Sequence, residues 1–212
     1  MINLVVVSDD RNIELGFYFS KCSENIVDFF NDNNSKLNGN VIHISSNNCN
    51  QCFIDLEISK LNSAPFVFIA YSHGDETSLR CSGNTYVKSG LNTEKFNKSL
   101  FYTNSCLTGK ELGKDLVENG CTAFIGYEEE TYSFYNKDYI DTLVNCDNSG
   151  ITTFFLENIS IDVAYKRMKN YYTNKIDKYI EIDPFFASYL VKYREALVLY
   201  GRTDLVKDDL NI

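Results

Sequence analysis

Six short apolar runs constrain this chain more than any other feature: Leu4 to Val7, Val41 to Ile44, Phe66 to Tyr71, Leu100 to Tyr102, Thr122 to Ile125 and Ala196 to Tyr200. They are rich in β-branched and aromatic residues, are bounded by Gly, Ser, Asn or Asp, and do not alternate apolar with polar. Continuous runs of this length suit strands covered on both faces, as in a parallel sheet between helical layers. Helix-like stretches separate them: Ser23 to Leu37, Cys52 to Leu61, Thr93 to Lys98, Glu111 to Asn119, Asn136 to Val144 and Ile161 to Ile176. The alternation predicts a three-layer α/β/α domain with a mainly parallel six-stranded sheet. Ser78 to Val87, with Gly83-Asn84 in its middle, reads instead as a small β-hairpin inserted after the third run.

At 212 residues and 44% hydrophobic content, with no repeat or low-complexity linker, the chain is expected to form a single domain over residues 1–212. A net charge of -9 argues against nucleic acid as a partner, because phosphate binding needs a basic face. The start Met-Ile-Asn-Leu-Val-Val-Val-Ser-Asp-Asp has no basic n-region, and no apolar run has the length of a membrane span. A cytoplasmic protein without membrane contact is expected. Seven cysteines, an odd set without a secretory signal, point to reduced thiols. Cys49-Asn-Gln-Cys52 has the spacing of a zinc or redox pair, but no second pair follows. Neither a metal nor a cofactor is expected, since a four-ligand site needs its other half.

In an open α/β sheet, ligands bind beyond the carboxyl ends of the strands. Asp9, Asp10, His73, Gly74, Cys106 and Glu128 all fall at such ends. After Cys106, Thr108-x-x-Glu111 matches a capping box, Leu112, Leu116 and Val117 supply an apolar face, and Gly120 supplies a stop. Cys106 is therefore expected on the turn before a helix N-terminus, where unpaired N–H groups and the helix dipole favour a thiolate. The Cys106 and Gly74 N–H groups are candidates for an oxyanion hole, the glycine admitting a carbonyl oxygen closely. Thr108-Gly109-Lys110 does not make a phosphate loop, because Asn104 and Glu111 stand where that pattern needs Gly and Ser or Thr.

Tyr71-Ser72-His73-Gly74 and Asn104-Ser105-Cys106-Leu107-Thr108-Gly109 resemble the two signature blocks of the caspase-like (clan CD) cysteine peptidases, above all the bacterial CHAT and separase-like branch. The likeness continues through Leu116-Val-Glu-Asn-Gly120, Cys121-Thr-Ala-Phe-Ile-Gly126, the stretch from Phe154 to Tyr165, and Leu197-Val-Leu-Tyr-Gly201. His73 and Cys106 stand closer than the roughly 50 residues of animal caspases, whose Gln-Ala-Cys-x-Gly block is absent. The resemblance implies a caspase-like fold and an endopeptidase with a His73/Cys106 dyad: His73 as general base and acid, Cys106 as nucleophile of a thioester acyl-enzyme. It further implies a regulated bacterial effector that cleaves a protein or peptide partner, with a regulatory sensor protein as a second partner. For specificity, clan members that cleave after Arg or Lys place carboxylates in the first pocket. Asp9 and Asp10 after the first strand and Glu128, Glu129 and Glu130 after the fifth are the candidates here. Metacaspases and clostripain-like enzymes carry Asp two residues before the cysteine, where this chain has Asn104, and Arg11 in the first loop would favour an acidic residue instead. Asp10, Asn104 and Glu128 are the substrate-binding candidates.

Two readings of other classes stay open. Asp9-Asp10 after the first strand suggests a flavodoxin-like or receiver-like regulatory module, although Ser72-His73 stands where a receiver needs Asp. A caspase-like interaction domain without catalysis is the other, and the presence of both dyad residues counts against it.

Overall fold

The computed structural model describes residues 1–131 and 137–211. In chain order the elements are β1 (Ile2–Ser8), α1 (Gly16–Asp32), α2 (Asn34–Leu37), β2 (Gly39–Ser45), α3 (Gln51–Ser59), β3 (Phe66–Tyr71), β4 (His73–Gly74), β5 (Ser78–Cys81), β6 (Asn84–Lys88), β7 (Ser99–Thr103), α4 (Leu112–Glu118), β8 (Ala123–Tyr127), α5 (Lys137–Leu156), α6 (Ile161–Tyr179), α7 (Pro184–Ala196) and β9 (Leu197–Gly201). Six strands form the main sheet in the order β2-β1-β3-β7-β8-β9, all parallel except the last pair. The remaining three, β4 to β6, make a small antiparallel sheet that follows β3.

The two-residue period of a strand explains why these runs are continuously apolar. Leu4, Val6, Val67, Ile69, Tyr71, Leu100, Tyr102, Ala123 and Ile125 face one core, shared with α1, α5, α6 and α7. Their neighbours Val5, Val7, Phe66, Phe68, Ala70, Phe101 and Phe124 face the other, shared with α3, α4 and the β5–β6 hairpin. Each of β1, β3, β7 and β8 is therefore desolvated on both sides, and a polar residue in its middle would need a buried partner, whereas the edge strands β2 and β9 stay partly exposed. On the second face the apolar cover includes Leu79, Tyr86 and Val87 of the hairpin. Phe68 packs its ring on Phe96 at 4.9 Å and on Phe101 at 4.8 Å.

Several elements differ from expectation, each for a local reason. α1 begins at Gly16 rather than Ser23, after a turn in which the Asn12 side chain accepts from Leu15 N–H at 2.8 Å and the Asn12 carbonyl from Gly16 N–H at 2.9 Å. Gly16 is required there: a Cβ would lie 2.5 Å from Asp10 O. Thr93 to Lys98 forms only a short 3₁₀ turn, Thr93–Phe96. α5 runs on to Leu156 through Asn145 to Gly150, residues whose types favour turns. Here the core supplies partners for the inward side chains of Asp147 and Asn148, and Gly150 makes room for Met168, whose Sδ would lie 2.9 Å from a Cβ. Asn136, the expected start of that helix, lies outside the described residues. α7 is an additional helix, capped by Asp183, which accepts from Phe186 N–H at 3.0 Å, with Pro184 in its first turn. Among the described residues no helix is long and apolar enough to cross a membrane.

Asp9 joins the end of β1 to both neighbours. Fully buried, it accepts from the Ser46 hydroxyl at 3.0 Å, and from the N–H and hydroxyl of Ser82 in the hairpin turn at 2.8 and 3.0 Å. This carboxylate holds the hairpin over the sheet. Asp9→Ala is expected to cost about 3 kcal/mol, since it strands buried donors that bonded to a charged group. A urea denaturation midpoint equal to that of the wild type would contradict this role.

Candidate active site

The register of β3 against β7 builds the site. Ala70 pairs with Thr103, so Ser72-His73 and Asn104-Ser105-Cys106 leave the sheet side by side. Hydroxyls then staple the two strand ends together. Ser105 donates to Ser72 O at 2.7 Å, Thr103 donates to Ala70 O at 2.9 Å, and the Ser105 N–H donates to Thr103 Oγ1 at 3.1 Å. Ser72 Oγ lies 2.6 Å from the Tyr86 hydroxyl, which ties the hairpin to the same point. All of these groups are buried, so the small polar residues between two apolar runs satisfy one another where water cannot reach.

His73 is half-buried, its ring edge-on to Phe19 with centroids 5.6 Å apart. Cys106 is half-buried too, and both line one narrow cleft of about 20 Å³, room for a single water. Asn104 lines the same cleft, with Leu15, Tyr18 and Phe19 from the start of α1 and Tyr193 from α7. The Cys106 sulfur also contacts Thr131: it takes the Thr131 N–H at 3.3 Å and lies 3.1 Å from Thr131 Oγ1. Thr131, Phe19 and Tyr193 belong to the site, yet no motif marks them, because they arrive from a distant loop and two helices.

The expected capping box does not form. Thr108 turns its hydroxyl back to Ser105 O at 3.0 Å, and α4 starts only at Leu112, whose N–H donates to Glu76 O at 2.8 Å. Cys106 is thus set not by a helix N-terminus but by a loop pinned to the neighbouring segments. Leu107 adopts a φ of 61°, a strained left-handed conformation, and its N–H donates to Glu129 O at 3.3 Å. Gly109 N–H donates to Tyr127 O at 2.9 Å. Among the described residues the Cys106 N–H meets no acceptor. Gly74 has a further reason to be glycine: a Cβ would lie 2.7 Å from Thr108 Cγ2 and 2.8 Å from Cys106 O. The space read as room for a substrate carbonyl is filled by the 105–108 loop itself.

The specificity candidates separate. Asn104 is buried in the cleft wall and donates through Nδ2 to Asp147 Oδ2 at 3.2 Å. Asp10 is exposed and accepts from Ser46 N–H at 3.0 Å. Glu128 accepts from the Tyr200 hydroxyl, and burial, followed by that hydrogen bond and the Glu128 charge, pushes the phenol above its ordinary range. Neither Asp10 nor Glu128 is among the residues that line the cleft. Cys49 is buried and Cys52 exposed, and among the described residues no group of three or more His, Cys, Asp or Glu is placed to hold a metal ion.

No protein-family profile matches the sequence, and no curated protein matches it. Among solved structures, the chain is similar to the crystal structure of the Arg specific cysteine proteinase gingipain R, with a TM-score of 0.63 and 10% sequence identity. The match covers 96% of this chain and 47% of that one, so the chain spans about half the length of that neighbour. At this identity the likeness shows a shared fold: the mixed α/β architecture with its six-stranded, mainly parallel sheet is the caspase-like one.

Gly74→Ala is expected to lower stability by about 2 kcal/mol through overpacking and to push the 105–108 loop off Thr131. The denaturation midpoint should fall, and mass spectrometry should show faster alkylation of Cys106. No change in either would contradict the packing described.

Proposed function

We propose that the protein is a cysteine endopeptidase with His73 and Cys106 as its catalytic dyad. The observation that carries the proposal is the convergence of the two side chains, delivered by adjacent strands, on one cleft. The shared fold with a cysteine proteinase agrees with it. In this reading His73 takes the thiol proton and the sulfur attacks the scissile carbonyl. The Cys106 N–H, which meets no acceptor among the described residues, faces the developing oxyanion. As the C–N bond breaks, His73 returns the proton to the leaving amine. Water then hydrolyses the thioester with His73 as base, which regenerates the thiol and releases the acid.

The substrate must displace Thr131, whose contacts occupy the sulfur and leave the cleft room for one water. That closure is also what favours the second reading, an interaction domain without catalysis. The finer parts of the proposal are a place in the CHAT and separase-like branch, a role as a regulated bacterial effector acting on a protein partner, and preference for Arg or Lys before the scissile bond. The first two rest on the motif blocks around His73 and Cys106, and the third on the carboxylates expected in the first pocket. Of the three specificity candidates, only Asn104 touches the cleft.

A panel of fluorogenic peptides with Arg, Lys, Asp or Leu before the scissile bond tests the assignment. Wild type is expected to cleave, and Cys106→Ala and His73→Ala to lose at least about a thousandfold in kcat/KM while keeping the wild-type melting curve. Cleavage by Cys106→Ala at the wild-type rate would sink the assignment. Absence of turnover in every protein, with Cys106 alkylated no faster than the buried cysteines, would favour the interaction domain.

A further inference from the structure

The Cys49-Asn-Gln-Cys52 segment, which the chemistry above does not use, meets a third thiol in the folded chain. Asp9 brings it there. Its Oδ1 accepts the hydroxyl of Ser46, after β2, and that of Ser82, after β5, each at 3.0 Å. Cys49 follows in the first of these turns, its N–H donating to Ser46 O at 3.4 Å, and Cys81 directly precedes Ser82. Both thiols enter the second core, 3% and 0% exposed, and they hydrogen-bond to one another. Cys52, in the first turn of α3, is exposed.

Two buried thiols in contact can ligate a metal or form a disulfide. A metal needs further ligands, and among the described residues no group of three or more His, Cys, Asp or Glu is placed to hold one. A disulfide needs the sulfurs to close by roughly 1–2 Å. The backbone can give at both ends: Cys49 lies between β2 and α3, and Cys81 is followed by Ser82 and Gly83 with φ of 49° and 80°. Neither thiol is open to a dissolved oxidant. The hydrogen bond to Cys81, followed by burial, also pushes the Cys49 thiol above its ordinary range, which slows direct reaction. The exposed Cys52 offers an entry. Three residues away, Cys49 attacks a mixed disulfide on Cys52 intramolecularly, and proximity offsets its scarce thiolate.

We propose that Cys49 and Cys81 form a reversible redox site, oxidised to a disulfide by a low-molecular-weight disulfide that enters through Cys52. Cys52 attacks the reagent, forming a mixed disulfide and releasing one thiol. Cys49 then attacks the Cys52 sulfur and releases the second. Cys81 attacks Cys49 in turn, which forms the Cys49–Cys81 bond and returns Cys52 as a free thiol. Each attacking thiol gives its proton to the thiol that departs, so one disulfide is reduced for each one formed. The new bond ties the β5–β6 hairpin to the segment before α3. Arg80 of that hairpin pairs with His73, and Tyr86 bonds to Ser72, so the redox state sets how firmly the end of β3 is held.

Cys106→Ala, which lacks the cleft thiol, is the protein to test, and the outcome is independent of peptidase activity. It is incubated with excess oxidised glutathione, alkylated in denaturant and mapped by mass spectrometry. Cys49 is expected to be linked to Cys81 with Cys52 free. The melting midpoint should rise by about 10 °C, because the bond closes a long loop, and dithiothreitol should reverse the rise. Adding Cys52→Ser should give the same bond about tenfold more slowly. Adding Cys81→Ser should stop the exchange at Cys49–Cys52, whose small loop leaves the midpoint within about 2 °C of the reduced form. Glutathione retained on Cys52 with Cys49 and Cys81 both alkylated, a bond that forms only in denaturant, or a bond that does not raise the midpoint overturns the site. Oxidation at an unchanged rate with Cys52→Ser overturns the entry route. Should the Cys81→Ser protein fail to fold, the linkage and the Cys52→Ser rate decide.

Discussion

Parallel pairing of β3 with β7, in the register that sets Ala70 beside Thr103, is the constraint on which the rest of the molecule depends. A slip of one residue would exchange the two faces of β7, moving Leu100 and Tyr102 out of one core and Phe101 out of the other. Both faces are buried, so the slip has no inexpensive form. The Thr103 and Ser105 hydroxyls close the pairing at its carboxyl end, where they bond to Ala70 O and Ser72 O. His73 and Cys106 are neighbours because the apolar residues before them cannot pair in another way.

The helical face carries a second constraint. Asp147 and Asn148 break the apolar pattern of α5 at a point fully inside the core, and their desolvation is offset by groups from across the sheet. Tyr127 and Tyr102 reach Asp147, the first through the carboxylate and the second through the backbone carbonyl, while Tyr71 donates to Asn148 Oδ1 at 2.6 Å. These tyrosines stand on three neighbouring strands, β3, β7 and β8. The cluster therefore fixes the position of α5 against the sheet and, through Asn104, reaches the cleft wall. Helix placement and the cleft wall share one set of side chains, and a half-satisfied network of this kind would be worse than an apolar one.

Much of this was legible. The six runs became the six strands of the main sheet, and Ser78 to Val87 became the hairpin, because period, length and turn residues act locally. The neighbouring ends that carry His73 and Cys106 were legible as the ends of two apolar runs. What escaped were the features whose cause lies elsewhere in the chain. α5 continues through Asn145 to Gly150 because distant tyrosines satisfy it, and Thr108 gives its hydroxyl to Ser105 O rather than to a helix. Thr131 reaches Cys106 from a loop that shares no motif with it.

The sequence by itself determined the layered α/β architecture and the strands that deliver His73 and Cys106, since each is written in short runs that obey local rules. Only the tertiary structure decided which acids serve which purpose. Asp9 anchors a hairpin, Asp10 holds a backbone N–H, Glu128 takes a tyrosine hydroxyl, and Asp147 stands behind the cleft. A carboxylate's role depends on burial and on the donors around it, and those come from residues far away in the chain.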